Sequence, residues 1–179
     1  SVDTLTTSFD ITPVAGPFIG SLATVTLYRA DGVALIQGVD YQVDPSNETA
    51  DGRLQVTLLN GYRGPMLVQV NDEDPQTGDY QDELTQQSKS LDTSLRSMVM
   101  IDKPAPESAP LQIVVSPLTE LATRQAGYGE NEIPTNLSVD KVSYNAKVAS
   151  LFGLDGVDIV HTAVVTTLDD TFNSEDGLN

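Results

Sequence analysis

The sequence predicts an α+β fold, an immunoglobulin-like antiparallel β-sandwich with an associated helical portion, and three observations predict it. Runs with a period of two recur about every ten residues through roughly the first 75 positions, and turn signals separate them. Two capped segments of helical character follow in the second half.

The elements follow in order. Phe9 to Thr12 reads as the first strand and stops at the turn Pro13-Val14-Ala15-Gly16-Pro17. Ala23, Val25 and Leu27 then alternate with Thr24, Thr26 and Tyr28, and Asp31-Gly32 turns the chain. Short runs at Val33 to Ile36 and Tyr41 to Val43 precede a polar loop from Asp44 to Gly52. Leu54, Val56 and Leu58 alternate with Gln55 and Thr57, Asn60-Gly61 forms another turn, and Met66, Val68 and Val70 complete a module assigned to residues 1–75.

Residues 76–179 are expected to form a helical portion with short strands, packed on the sandwich. Leu84, Leu91, Leu95 and Met98 suit one face of an irregular helix, and Pro104, Pro106 and Pro110 a stiff connector. Leu111 to Val115 is a short buried strand. It runs into the best-specified helix of the chain, with Ser116 as N-cap, Pro117 at the first helical position, Glu120 near the positive end and Gly127 as terminator. A second helix starts at the cap Ser138, carries the stripe Val142, Ala146, Ala149 and Phe152, widened by Val148 and Leu151, and ends at Gly153. Asp158 to Val165 reads as an extended run with His161 on the face of Ile159, Ala163 and Val165.

Composition narrows the function. Nine Lys+Arg stand against 26 Asp+Glu in 179 residues, a formal net charge of −17, and the cations are scattered singly. No surface can then present the basic stripe that a phosphate backbone requires, so neither nucleic acid nor an anionic membrane is an expected partner. No stretch approaches the roughly 20 apolar residues that span a bilayer. Having no Cys excludes thiolate nucleophiles and Cys-ligated zinc, while a Ser–His–Asp triad or a His-ligated zinc would have to use His161, the single histidine, which reads as a half-buried structural residue. Carboxylate-only chemistry, as in a glycosidase, survives that filter, but the sequence singles out no acid pair for it. A non-catalytic role is expected. Ser1 without a charged-then-apolar leader reads as the start of a piece of a longer protein.

The strongest candidate site is the acidic loop Asn71 to Glu83, with six acids and no base. Calcium takes six to eight oxygen ligands, and Asp72, Asp74, Asp79, Asp82 and Glu83, with Gly78 for a tight turn, supply several. The loop lacks the order of an EF-hand, and it reads equally as a solvated connector in which Tyr80 packs on the sandwich and Asp82 caps a helix. Asp44, Asn47, Glu48 and Asp51 form a weaker cluster, and Asp169, Asp170, Glu175 and Asp176 another. For direct ligand contact the Gly-rich loop offers Tyr128 and Asn131, while Tyr62 and Tyr144 are further aromatics with a claim to exposure.

Several blocks taken together carry a resemblance. Gly52-Arg53-Leu54-Gln55-Val56, Gly64-Pro65-Met66-Leu67-Val68-Gln69-Val70, Tyr80-Gln81-Asp82-Glu83, Ser116-Pro117-Leu118-Thr119-Glu120-Leu121-Ala122 and Leu151-Phe152-Gly153-Leu154 with Asp158-Ile159 occur in this order. The succession resembles the Ig-like extracellular modules of giant, calcium-dependent repeats-in-toxin adhesins of marine bacteria, over roughly Thr12 to Val165. The resemblance implies a secreted, surface-exposed location and a role in positioning ligand-binding domains, with neighbouring domains of the same polypeptide as first partners. Such modules continue into a further helix about where this chain ends. The resulting expectation is a monomeric spacer of a bacterial adhesin, stiffened by calcium, with cell-surface glycans or proteins as further partners; the alternative is a domain that itself binds a cell-surface glycan or peptide.

Overall fold

The computed structural model describes residues 6–13, 23–44, 54–72, 80–81, 88–89 and 94–162. Nine strands and three helices lie there: β1 (Thr7–Pro13), β2 (Ala23–Arg29), β3 (Tyr41–Asp44), β4 (Leu54–Leu58), β5 (Gly64–Asp72), β6 (Tyr80–Gln81), β7 (Ser88–Lys89), β8 (Leu95–Ile101), β9 (Leu111–Val115), α1 (Pro117–Gln125), α2 (Val139–Val142) and α3 (Tyr144–Leu151). One sheet runs β3-β4-β1-β9 and the other β2-β5-β8, while β6 and β7 form a small separate pair. The pairings between these strands are antiparallel except β1 with β9, where Phe9 lies beside Leu111 and Pro13 beside Val115.

The two main sheets share one core. Phe9, Ile11, Val56, Leu58 and Ile113 come from the first, and Leu27, Met66, Val68, Val70 and Val99 from the second. The other face of the second sheet is also buried. Leu67 and Gln69 sit beside Met98 and Arg96 in register, all four are buried, and Arg96 and Met98 bond to α1 and α3. The loop from Tyr128 to Leu137 crosses this side of the sheet, held at Ser94 through Asn131 and at Ala30 through the Leu137 N–H.

Four sequence expectations change here. Leu95 and Met98 belong to a strand, not to a helix; Leu84 and Leu91 lie outside the described residues. Because β8 is covered on both faces, Leu95, Met98, Val99 and Ile101 are buried without alternating with polar residues, and spacing alone cannot separate such a strand from a helix. The run from Asp158, in its described part to Thr162, is a turn rather than a strand. Asp158 Oδ1 accepts the N–H groups of Val160 and His161 at 3.1 and 3.2 Å, so the aspartate shapes its own backbone. The second helix is two helices meeting at Ser143, and Val33 to Ile36 pairs with β2 only through the bridge of Tyr28 with Ala34.

The buried face of α3 also differs from the expected stripe: Asn145, Val148 and Ala149 are buried, whereas Ala146 is exposed and Phe152 is 44% exposed. The sheets are built across residue 75, since β8 and β9 from the second half complete them. The first helix forms as its caps dictate. Ser116 and Thr119 bond reciprocally, Pro117 opens the helix, and Gly127 leaves it at a φ of 110°.

Candidate functional site

The centre of the helical side is a buried charge cluster. Arg96 is fully buried, and its guanidinium grips Glu120 through Nε to Oε1 at 3.0 Å and Nη2 to Oε2 at 2.8 Å. Its Nη1 donates to the carbonyls of Gly129 and Glu132 at 2.9 and 2.7 Å. Arg124, one turn along α1, adds a bond from Nε to Glu120 Oε2 at 2.7 Å, and this raises the Arg124 pKa. A buried carboxylate so fully engaged is a brace between α1 and β8, because its oxygens are already occupied by donors.

The same elements seal the open side of β8. Ser94, Arg96 and Met98 all point backbone groups away from β5. The Ser94 N–H goes to Asn131 Oδ1 at 3.2 Å, the Arg96 N–H to Glu120 Oε1 at 3.0 Å, and the Met98 carbonyl accepts from Asn145 Nδ2 at 2.9 Å. The outer side of β9 is closed in a similar way by the Asp158 turn. Val114 N–H donates to Val160 O, and His161 Nδ1 donates to Gln112 O, each at 2.6 Å. On β2, the segment after the Gly32 turn folds back, with Arg29 N–H to Val33 O and Leu35 N–H to Leu27 O. The fourth edge, β3, is four residues long, and its Tyr41 carbonyl accepts the Gly38 N–H.

Between α2 and α3, the end of β8 and the segment from Gly156 to His161 lies a cleft of about 440 Å³. Its walls are mainly apolar, with Met98, Met100, Val142, Ala149, Val157 and Ile159 among them. Five polar side chains, Ser143, Asn145, Ser150, Asp158 and His161, also line it. Asn145 spends both amide hydrogens on the carbonyls of Met98 and Val142, and its buried Oδ1 has no hydrogen-bond partner. Asp158 Oδ2 lies 4.0 Å from His161 Nε2.

The residues marked out by the sequence are placed as follows. Asp72 ends β5; Asp74, Asp79, Asp82 and Glu83 lie outside the described residues, as do Asn47, Glu48, Asp51 and the cluster from Asp169. Among the described residues no group of three or more His, Cys, Asp or Glu side chains converges as metal ligands would. Tyr128 is buried, donates its hydroxyl to Asn136 Oδ1 at 2.8 Å and carries Lys141 Nζ over its ring. Asn131 holds a left-handed backbone, φ 62°, and turns its side-chain oxygen inward to Ser94. Tyr62 bonds the Ala30 N–H and the Pro65 carbonyl, and Tyr144 lies under Lys147. Arg96 and Asn145 were missed in the sequence. A lone arginine inside the run Leu95 to Ile101 was the available signal, since a cation there requires a buried partner.

No protein-family model matches the chain, and neither a curated protein nor a solved structure matches it. No helix among the described residues is long and apolar enough to cross a membrane.

Proposed function

We propose that the chain is a non-catalytic, extracellular module of a large bacterial surface adhesin, an Ig-like spacer that positions ligand-binding domains. The observation that carries this reading is the protection of the edges of the two main sheets over much of their length: β8 by side chains from Ser94 to Met98, β9 and the Leu27–Arg29 end of β2 by folded-back backbone, and β3 by its shortness. Exposed edges are templates for pairing with another chain, and modules set side by side at high local concentration must suppress that. The Ig-like part of the reading is supported by strand order. With β1 to β5 and β8 taken as the second to seventh strands of that fold, the orders β3-β4-β1 and β2-β5-β8 match its two sheets, and β9 stands beside β1 where the first strand would. The net charge of −17 favours a soluble, self-repelling chain.

Sedimentation at rising protein concentration, together with a broad array of immobilised glycans, tests the reading. A monomer at every concentration and a silent array are expected. Edge-mediated self-association, or saturable binding to a glycan, overturns the spacer and in the second case leaves a ligand-binding domain in its place.

A further inference from the structure

The cleft beside α3 has a chemical bias that the spacer reading does not use. Each polar side chain on its lining has its hydrogens committed elsewhere. Ser143 Oγ donates to the Asp140 carbonyl, Ser150 Oγ to Asp155 Oδ1, Asn145 Nδ2 to Met98 and Val142, and His161 Nδ1 to Gln112. A carbonyl only accepts, so the Gln112 bond fixes the proton of the neutral His161 ring on Nδ1 and leaves Nε2 with a lone pair. Asp158 is a carboxylate, and its Oδ2 has no bonded donor within hydrogen-bond distance among the described residues. Among the described residues no lysine or arginine lines the cleft. What remains is a set of acceptors above apolar walls, with the buried Asn145 Oδ1, which has no hydrogen-bond partner, on a lining residue.

A group made only of donors, positively charged and carried on an aliphatic stem, complements such a site. The wall formed by β8 adds a second constraint. Met100 follows Ser94, Arg96 and Met98 at the same two-residue step and pairs in register with Pro65, so its backbone groups point away from β5 and toward the cleft side. An extended segment lying there would align with a strand edge, which is a known mode of peptide capture. The volume, about 440 Å³, is also in the range of pockets that enclose more than a bare alkylamine.

We infer that this cleft receives a lysine side chain from an extended segment of a partner protein, with the ammonium held by Asp158 and His161 Nε2 and the stem packed on the partly exposed Met100, Val142 and Val157. The inference stands apart from the adhesin reading, since it rests on the cleft alone.

The test is a titration of the whole chain, followed by amide chemical shifts, with a short peptide of alternating valine and threonine bearing one central lysine. Norleucine replaces the lysine in a second peptide, and n-butylammonium serves as the free amine. Shifts that saturate at positions 98–100, 143–150 and 156–161 with the lysine peptide alone are expected. Ala146→Arg places a cation on an exposed cleft residue and should weaken the lysine peptide on the order of tenfold or more while leaving the melting temperature in place. Asp158→Asn keeps the Oδ1 acceptor that shapes the turn and should weaken binding by a smaller factor. Equal binding of the norleucine peptide, no binding of the lysine peptide, or butylammonium binding as tightly as the peptide each overturns the proposal, the last by making a free amine the ligand.

Discussion

Glu120 bonds Arg96 twice over, accepting from the guanidinium with both oxygens and from the backbone N–H of the same residue with Oε1. One side chain therefore neutralises a buried cation and closes a sheet edge. Glu120→Ala removes both functions and leaves Arg96 buried with an unpaired charge, for which a loss of about 3–5 kcal/mol is expected. Replacing the pair together by apolar residues of similar volume, as in Arg96→Met with Glu120→Leu, should cost less than Glu120→Ala alone. Urea unfolding of the three proteins checks this; a double variant as unstable as the single would mean that edge closure, not charge, dominates.

Gly32 and Gly38 separate two effects that usually occur together. Both have a positive φ, 85° and 87°, but a Cβ at Gly32 would meet the Pro134 carbonyl at 2.9 Å and Thr135 Cγ2 at 3.0 Å, while nothing lies within 4 Å at Gly38. Gly38→Ala should carry only the left-handed penalty, about 1 kcal/mol, and Gly32→Ala that penalty plus a steric one. If the two variants unfold at the same urea concentration, the 134–135 segment yields without resistance.

Strands of the first half such as β2 were legible because one face is drier than the other. Val25 and Leu27 alternate with Thr24 and Thr26, and a period of two survives. The α1 helix was legible for a local reason, since Ser116, Pro117 and Gly127 act within a few residues of where they stand. β8 was not, because what decides it is distant: its second face is covered by residues after 116, and that covering removes the alternation. The break at Ser143 and the burial of Asn145 have the same origin. Asn145 turns inward because the Met98 carbonyl needs a donor, and nothing within α3 announces it. The edges, and with them the cleft, exist only in the assembled sheets.

Tyr128 makes the stability of the helical side depend on alkaline pH. Burial raises its hydroxyl above the ordinary tyrosine value, and nearby Glu132 adds to the shift. In the unfolded chain the hydroxyl ionises at about 10. Above that pH the unfolded state has released a proton that the folded state still holds, so stability present below the unfolded value is lost as pH rises. Tyr41 acts in the same direction through burial. Melting temperatures measured from pH 8 to 11 should fall at the alkaline end, and less steeply for Tyr128→Phe. An unchanged slope in the variant would assign the alkaline loss to other groups.

Calcium is the one ligand that the adhesin reading itself demands, and linkage makes the demand measurable. An ion that binds only the folded chain adds about 2.7 kcal/mol at one hundred times its dissociation constant. With a net charge of −17, any divalent salt also relieves repulsion, so a rise in melting temperature with calcium is informative only against magnesium at equal ionic strength. A site built from several carboxylates favours the larger ion, because magnesium demands near-ideal octahedral geometry and sheds water reluctantly. The expected outcome is a rise with millimolar calcium that magnesium does not reproduce, reversed by EDTA and reduced when Asp74, Asp79 and Asp82 are changed together to Asn. Equal rises with both ions would assign the effect to screening and make the 72–83 loop a solvated connector.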